Sequence, residues 1–118
     1  MRTQHLLLSL LLMLACQKNL HAHAVVTEHS FASTKIHANH ENQVSLDFNS
    51  KIEIGLSEIF LVSKGDTYTL LPISKGKKQG QMLIHIPALA LGEYAIKLKV
   101  FAADGHLTED VIYFSVIP

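Results

Sequence analysis

The chain has 118 residues, of which 48% are hydrophobic, with 10 basic and 10 acidic side chains and a formal net charge of zero. That balance does not suggest nucleic acid or an anionic membrane as a partner, because both call for a basic excess. A single cysteine excludes an internal disulfide, and 118 residues leave room for one small domain.

The first element is a targeting segment. Met1–His5 carries one arginine, Leu6–Ala15 is almost unbroken apolar sequence, and Gln17-Lys18-Asn19 is polar. This order is that of a secretory signal peptide. The apolar run is about half the roughly 20 residues a spanning helix needs, so it predicts export to the periplasm and no membrane insertion of the mature protein. Two cleavage points fit the small-residue rule, after Ala22 and after Ala24. A third reading, lipidation at Cys16, is opposed by Met13 and Leu14, which are poor residues for that motif. Pattern alone does not choose between the two cleavage points; with 1–22 removed as signal peptide, 23–118 would be the mature domain. Arg2 and Lys18 leave with the signal, so 96 residues remain with eight basic against ten acidic side chains and no cysteine. Such a domain depends on its apolar core.

The following elements are short strands. Val25–Thr27 comes first. Val44–Phe48 alternates apolar and polar, the period of a half-buried strand. Ile59–Val62 ends at the turn signal Lys64-Gly65-Asp66. Tyr68–Ile73 contains Pro72, which favours a strand end or edge. Lys75, Lys77 and Lys78 beside Gly76 and Gly80 read as a solvated turn. Met82, Ile84 and Ile86 alternate with Gln81, Leu83 and His85, and Tyr94–Val100 is the clearest alternation of all. The last strand, Val111–Ile117, is apolar at both parities. No segment has helical periodicity. Seven short strands with regular turns predict an all-β fold, a two-sheet sandwich or a small barrel. Gly92-Glu93-Tyr94, opening a long strand, fits the tyrosine corner of Greek-key sandwiches and, equally, an ordinary core aromatic.

Six histidines follow the signal: His23, His29, His37, His40, His85 and His106. Met82 is the one remaining methionine, so no Cu(I) thioether cluster can be built. There is no Gly-x-Ser-x-Gly, no glycine-rich phosphate loop and no His-Glu-x-x-His. Asp104-Gly105-His106 stands just beyond the clearest strand. Residues at i and i+2 share a side of extended backbone, and Gly105 supplies freedom to converge them. Alone, the tripeptide is equally an ordinary turn. His23 adds weight to the metal reading. As a first residue it would offer its α-amine and ring Nδ1 as a six-membered chelate, and Cu(II) favours such nitrogen and oxygen donors in tetragonal array. Asp104 and His106 would complete the set. His29, His37 and His40 read as surface residues, with a weak second metal site involving Glu41 as the lesser reading; His85 reads as a partly exposed structural residue.

The ordered set His23-Ala24-Val25-Val26, Phe48-Asn49-Ser50-Lys51-Ile52-Glu53, Pro87-Ala88-Leu89-Ala90-Leu91-Gly92-Glu93-Tyr94, Asp104-Gly105-His106 and the closing strand resembles the periplasmic copper-resistance family CopC. The resemblance spans the region behind the signal. It implies a seven-stranded Greek-key sandwich, one Cu(II) held by His23, Asp104 and His106, and cleavage after Ala22. Phe31 replaces a usual proline, the tryptophan common before Asp-Gly-His is absent, and the methionine-rich Cu(I) loop of some members is missing.

Three functions follow for comparison. The first is a monomeric copper carrier or buffer serving a membrane copper importer. The second is a histidine-brace copper monooxygenase, disfavoured because Asp104 would close the copper plane and no tryptophan platform exists for a polysaccharide. The third is a structural sandwich with no metal role.

Overall fold

The computed structural model describes residues 24–118. The expected signal peptide, Cys16 and His23 lie outside the described residues. Among the described residues no helix is long and apolar enough to cross a membrane.

Among the described residues nine strands form in chain order: β1 Val26–His29, β2 Ile36–His37, β3 Asn42–Phe48, β4 Glu58–Ser63, β5 Thr67–Leu70, β6 Ile73–Lys75, β7 Gln81–Ile86, β8 Gly92–Phe101 and β9 Leu107–Ile117. One sheet has the order β1-β3-β7-β6 and the other β2-β9-β8-β4-β5. Strand β3 thus pairs with β7, and β4 with β8, while the intervening chain passes between sheets. This is the expected sandwich class with two more short strands than the alternation marked. One arises at Pro72, where the expected strand 68–73 divides. Proline has no N–H to give a ladder, so the chain leaves one sheet after Leu70 and joins the other at Ile73. Leu71 amid that crossing is buried, its amide bonded to Ile59 O at 2.8 Å. The other addition is β2, two residues paired in parallel with the end of β9.

The core is where the alternation placed it. Val44, Leu46, Met82, Ile84, Ile86, Ile96, Leu98 and Val100 are fully buried between the sheets. The last strand is apolar at both parities yet has one inner face. Phe114 and Val116 turn inward, whereas Tyr113 is 80% exposed on the outer face. Among the described residues the two sheets form the only layers, so the outer apolar positions of this strand, Val111 and Tyr113, stay exposed.

The tyrosine corner forms: Tyr94 Oη donates to Ala90 O at 2.9 Å. Its ring lies 5.8 Å from that of Phe114, which stacks at 4.7 Å on Phe31. Phe31 therefore anchors the turn between β1 and β2 in an aromatic stack. Tyr94→Phe keeps the stack and removes one hydrogen bond, so denaturant unfolding should show a loss of about 1 kcal/mol. An unchanged midpoint would mean that the corner contributes nothing.

Candidate metal centre

Strands β8 and β9 are the longest antiparallel pair, in register from Gly92↔Val116 to Phe101↔Leu107. Beyond that last rung the chain reverses within Ala102–His106. Ala102 N donates to His106 O at 2.9 Å and Gly105 N to Ala102 O at 3.0 Å. Gly105 sits at φ +89°, a conformation a side chain resists. Asp104 holds the turn from its side chain, with Oδ1 accepting the His106 amide at 3.0 Å. Its other oxygen, Oδ2, lies 3.0 Å from His106 Nδ1. The tripeptide is thus a turn that brings its two polar side chains together as an ion pair, with the imidazole 56% and the carboxylate 35% exposed.

The 3.0 Å separation is that of an ordinary hydrogen-bonded ion pair; what suits Cu(II) is the chemistry of the two groups, an imidazole nitrogen and a carboxylate oxygen.

The base of the turn is fixed by the segment after β3. Ala103 N donates to Lys51 O at 2.9 Å, Glu53 N to Phe101 O at 2.8 Å, and Ile52 bridges Ala102. Buried Ser57 adds a polar pin: its hydroxyl donates to Glu53 O at 2.7 Å and accepts from Phe101 N at 3.0 Å. The same segment holds the beginning of the described chain. Val25 N donates to Asn49 Oδ1 at 2.8 Å, and Asn49 N returns a bond to Val25 O at 3.0 Å. Ala24 is wholly buried in the core. Asn49 and Lys51 are two residues apart, a span of about 7 Å at most. The chain entry at residue 24 and the Asp104–His106 turn therefore flank one short segment at one end of the sandwich. Neither Asn49 nor Ser57 was marked as functional in the sequence; each is a single polar residue acting on distant backbone.

The other histidines are scattered. His29, half-buried on β1, lies 6.0 Å from the Phe31 ring. His37 Nδ1 lies 2.8 Å from Pro118 O. His40 is exposed, and His85 Nε2 is 3.9 Å from Glu41 Oε1 with its side chain 46% exposed. Among the described residues no group of three or more His, Cys, Asp or Glu side chains is arranged to hold a metal. The weak second site considered for His29, His37, His40 and Glu41 is thus not assembled. Strands β1 and β2 carry His29 and His37 into different sheets.

Comparison with known proteins follows the same lines. Residues 26–117 match the family model of the CopC domain. The fold is similar to a crystal structure of CopC from Methylosinus trichosporium OB3b, with a TM-score of 0.68, 26% identity, and coverage of 81% of this chain and 95% of that one. It is also similar in fold to PcoC, a methionine-rich copper resistance protein from Escherichia coli, with a TM-score of 0.60, 19% identity, and coverage of 80% and 99%. A search of curated protein sequences returned no match.

Proposed function

The chain belongs to the CopC family, and from that premise we propose that it is an exported copper-resistance protein that holds one Cu(II) through His23, Asp104 and His106. In this reading the signal peptide 1–22 is removed, the protein works in the periplasm as a monomer, and it carries or buffers copper for a membrane importer. His23 contributes its α-amine and ring Nδ1, and the turn contributes the Asp104 carboxylate and the His106 imidazole.

One observation carries the proposal. Ala24, the residue that directly follows His23, is buried, and Val25 is tied by two hydrogen bonds to Asn49, beside the segment that fixes the Asp104–His106 turn. The described chain thus enters the sandwich at the same end as the Asp104–His106 turn. The division of labour follows from the donors. The carboxylate offsets part of the dication's charge, and its Oδ1 bond to the His106 amide keeps it aimed while Oδ2 faces the ring. With nitrogen and oxygen donors and no sulfur, the set favours Cu(II) over Cu(I).

Binding is favoured over oxidative catalysis by where the exposed aromatics lie. Tyr113 stands six residues along β9 from Leu107, about 20 Å from the turn at the usual strand rise. Tyr68, also exposed, is level with Val62 and Ala95, so neither ring forms a platform beside the donors.

The test is the exported protein itself. Its intact mass should correspond to a first residue His23 and should rise by one copper on addition of Cu(II). A first residue Val25, or an acylated Cys16, would refute the site. Asp104→Ala and His106→Ala should each weaken Cu(II) at least about tenfold in competition titrations, with the circular dichroism spectrum unchanged because neither side chain is in the core. Wild-type affinity in either variant, or tighter binding of Cu(I) than Cu(II), would overturn the assignment.

A further inference from the structure

The charges of this chain balance in number, yet four lysines gather at one end of the sandwich, with Glu53 and Asp47 as the neighbouring carboxylates. Lys51 projects from the segment after β3, and Lys75, Lys77 and Lys78 from β6 and the loop that follows it; all four are exposed. Lys51, Lys75 and Lys78 line one shallow cleft of about 100 Å³, floored in part by Ile52 and Ile54. Among the described residues no carboxylate lies within 4.0 Å of any of these amines; the salt-bridge contacts there are those of His85 with Glu41 and His106 with Asp104. The two loops are held together by backbone. Phe48 N donates to Gly80 O at 2.7 Å. Gly80, at φ +75°, packs so closely that an added Cβ would meet the carbonyls of Phe48 and Ser50 at 2.8 Å. The lysines read from sequence as a solvated turn are thus joined by a fourth from a distant segment and fixed as a group. Next to them the Ile54-Gly55-Leu56 turn leaves Leu56 65% exposed. The group borders the candidate metal centre, since Lys51 O is the acceptor that holds Ala103.

We infer that this end of the sandwich is a docking surface for an anionic phospholipid bilayer, with Lys51, Lys75, Lys77 and Lys78 meeting headgroup phosphates and Leu56 resting at their boundary with the acyl chains. Charge complementarity selects the occupant. Lysine is depleted from the cores of protein–protein interfaces, whereas each lysine near an anionic bilayer strengthens partitioning about fivefold. An exposed apolar residue beside the amines is the second component of interfacial binding. Docking in this orientation brings the Asp104–His106 turn toward the membrane surface. The inference does not depend on copper being bound, so it stands or falls separately from the metal assignment.

The experiment is co-sedimentation of the exported protein, without copper and with it, on vesicles of phosphatidylglycerol mixed with phosphatidylethanolamine. Phosphatidylcholine vesicles are the neutral control. The wild type should bind the anionic vesicles in both states, release as salt is raised, and ignore the neutral ones. Lys75→Glu with Lys78→Glu should lower partitioning at least about twenty-five-fold, the product of two fivefold effects. Lys35→Glu with Lys64→Glu makes the same change in net charge at the far end of the sheets, and should shift binding less than about twofold. Equal losses in the two double variants, or no preference of the wild type for anionic vesicles, would overturn the inference. Salt-sensitive retention on polyglutamate with no vesicle binding would assign the lysines to an acidic protein and overturn it equally.

Discussion

A single glycine placed ahead of His23 is expected to lower Cu(II) affinity a hundredfold or more while the fold stays intact. The insertion alters no side chain and touches no core residue. It moves the free amine away from the histidine and leaves a peptide amide in its place. That nitrogen is far less basic and cannot bind without losing its proton, so the six-membered ring of amine and Nδ1 cannot close. His23, Asp104 and His106 would still offer three side-chain donors. The loss of one donor and of the ring corresponds to about 3 kcal/mol for two decades in affinity. A generic histidine cluster on the same scaffold would be indifferent to the change. Competition titrations of the two proteins, with circular dichroism to confirm the fold, decide the matter. Equal affinities would show that the amine is no ligand and that the central functional proposal is wrong.

The second large effect is expected in the core. Ile96 is fully buried at the centre of β8, in register with Leu61 of β4 on one side and Ile112 of β9 on the other. Ile96→Ala should cost about 2–5 kcal/mol, because the lost transfer energy is joined by a cavity that surrounding strands fill only in part. A small domain has about 5–15 kcal/mol in total, and residues 24–118 contain no cysteine with which to restrain the unfolded chain. The urea midpoint should therefore fall by about 1 M or more. Val111→Ala, on the outward face of β9 and 42% exposed, should stay within about 0.5 kcal/mol. A loss below 1 kcal/mol for Ile96→Ala would mean that the two sheets close over the gap.

The contrast between these two positions shows what alternation can reveal. Strands with one inward face, such as β3, β7 and β8, were legible because each step of two residues repeats the same environment. Strand β9 has apolar residues at both parities, so periodicity could not tell Phe114, which is buried, from Tyr113, which is not. Strand β2 escaped altogether, since two residues define no period; its place comes from the parallel partner at Val116 and Ile117. Pro72 was readable as a strand end but not as a passage between sheets. That outcome depends on which sheet offers the next free edge.

The candidate site divides in the same way. Asp104 and His106 could be proposed because chemistry and spacing coincide within three residues. Asn49 and Ser57 could not, because their partners lie 24 and 44 residues away along the chain. A hydrogen bond of that range leaves no trace in local pattern.

The pair of bonds between Val25 and Asn49 has a consequence for motion. The start of a domain ordinarily frays, opening many times for each global unfolding event. Here, opening the first strand from its beginning must break both bonds to Asn49 and expose Ala24 from the core. The amides of Val25 and Asn49 should accordingly exchange with solvent far more slowly than those of an ordinary chain end. A segment restrained in this way has spent its conformational entropy during folding, so a ligand arriving beside it would find less disorder left to remove.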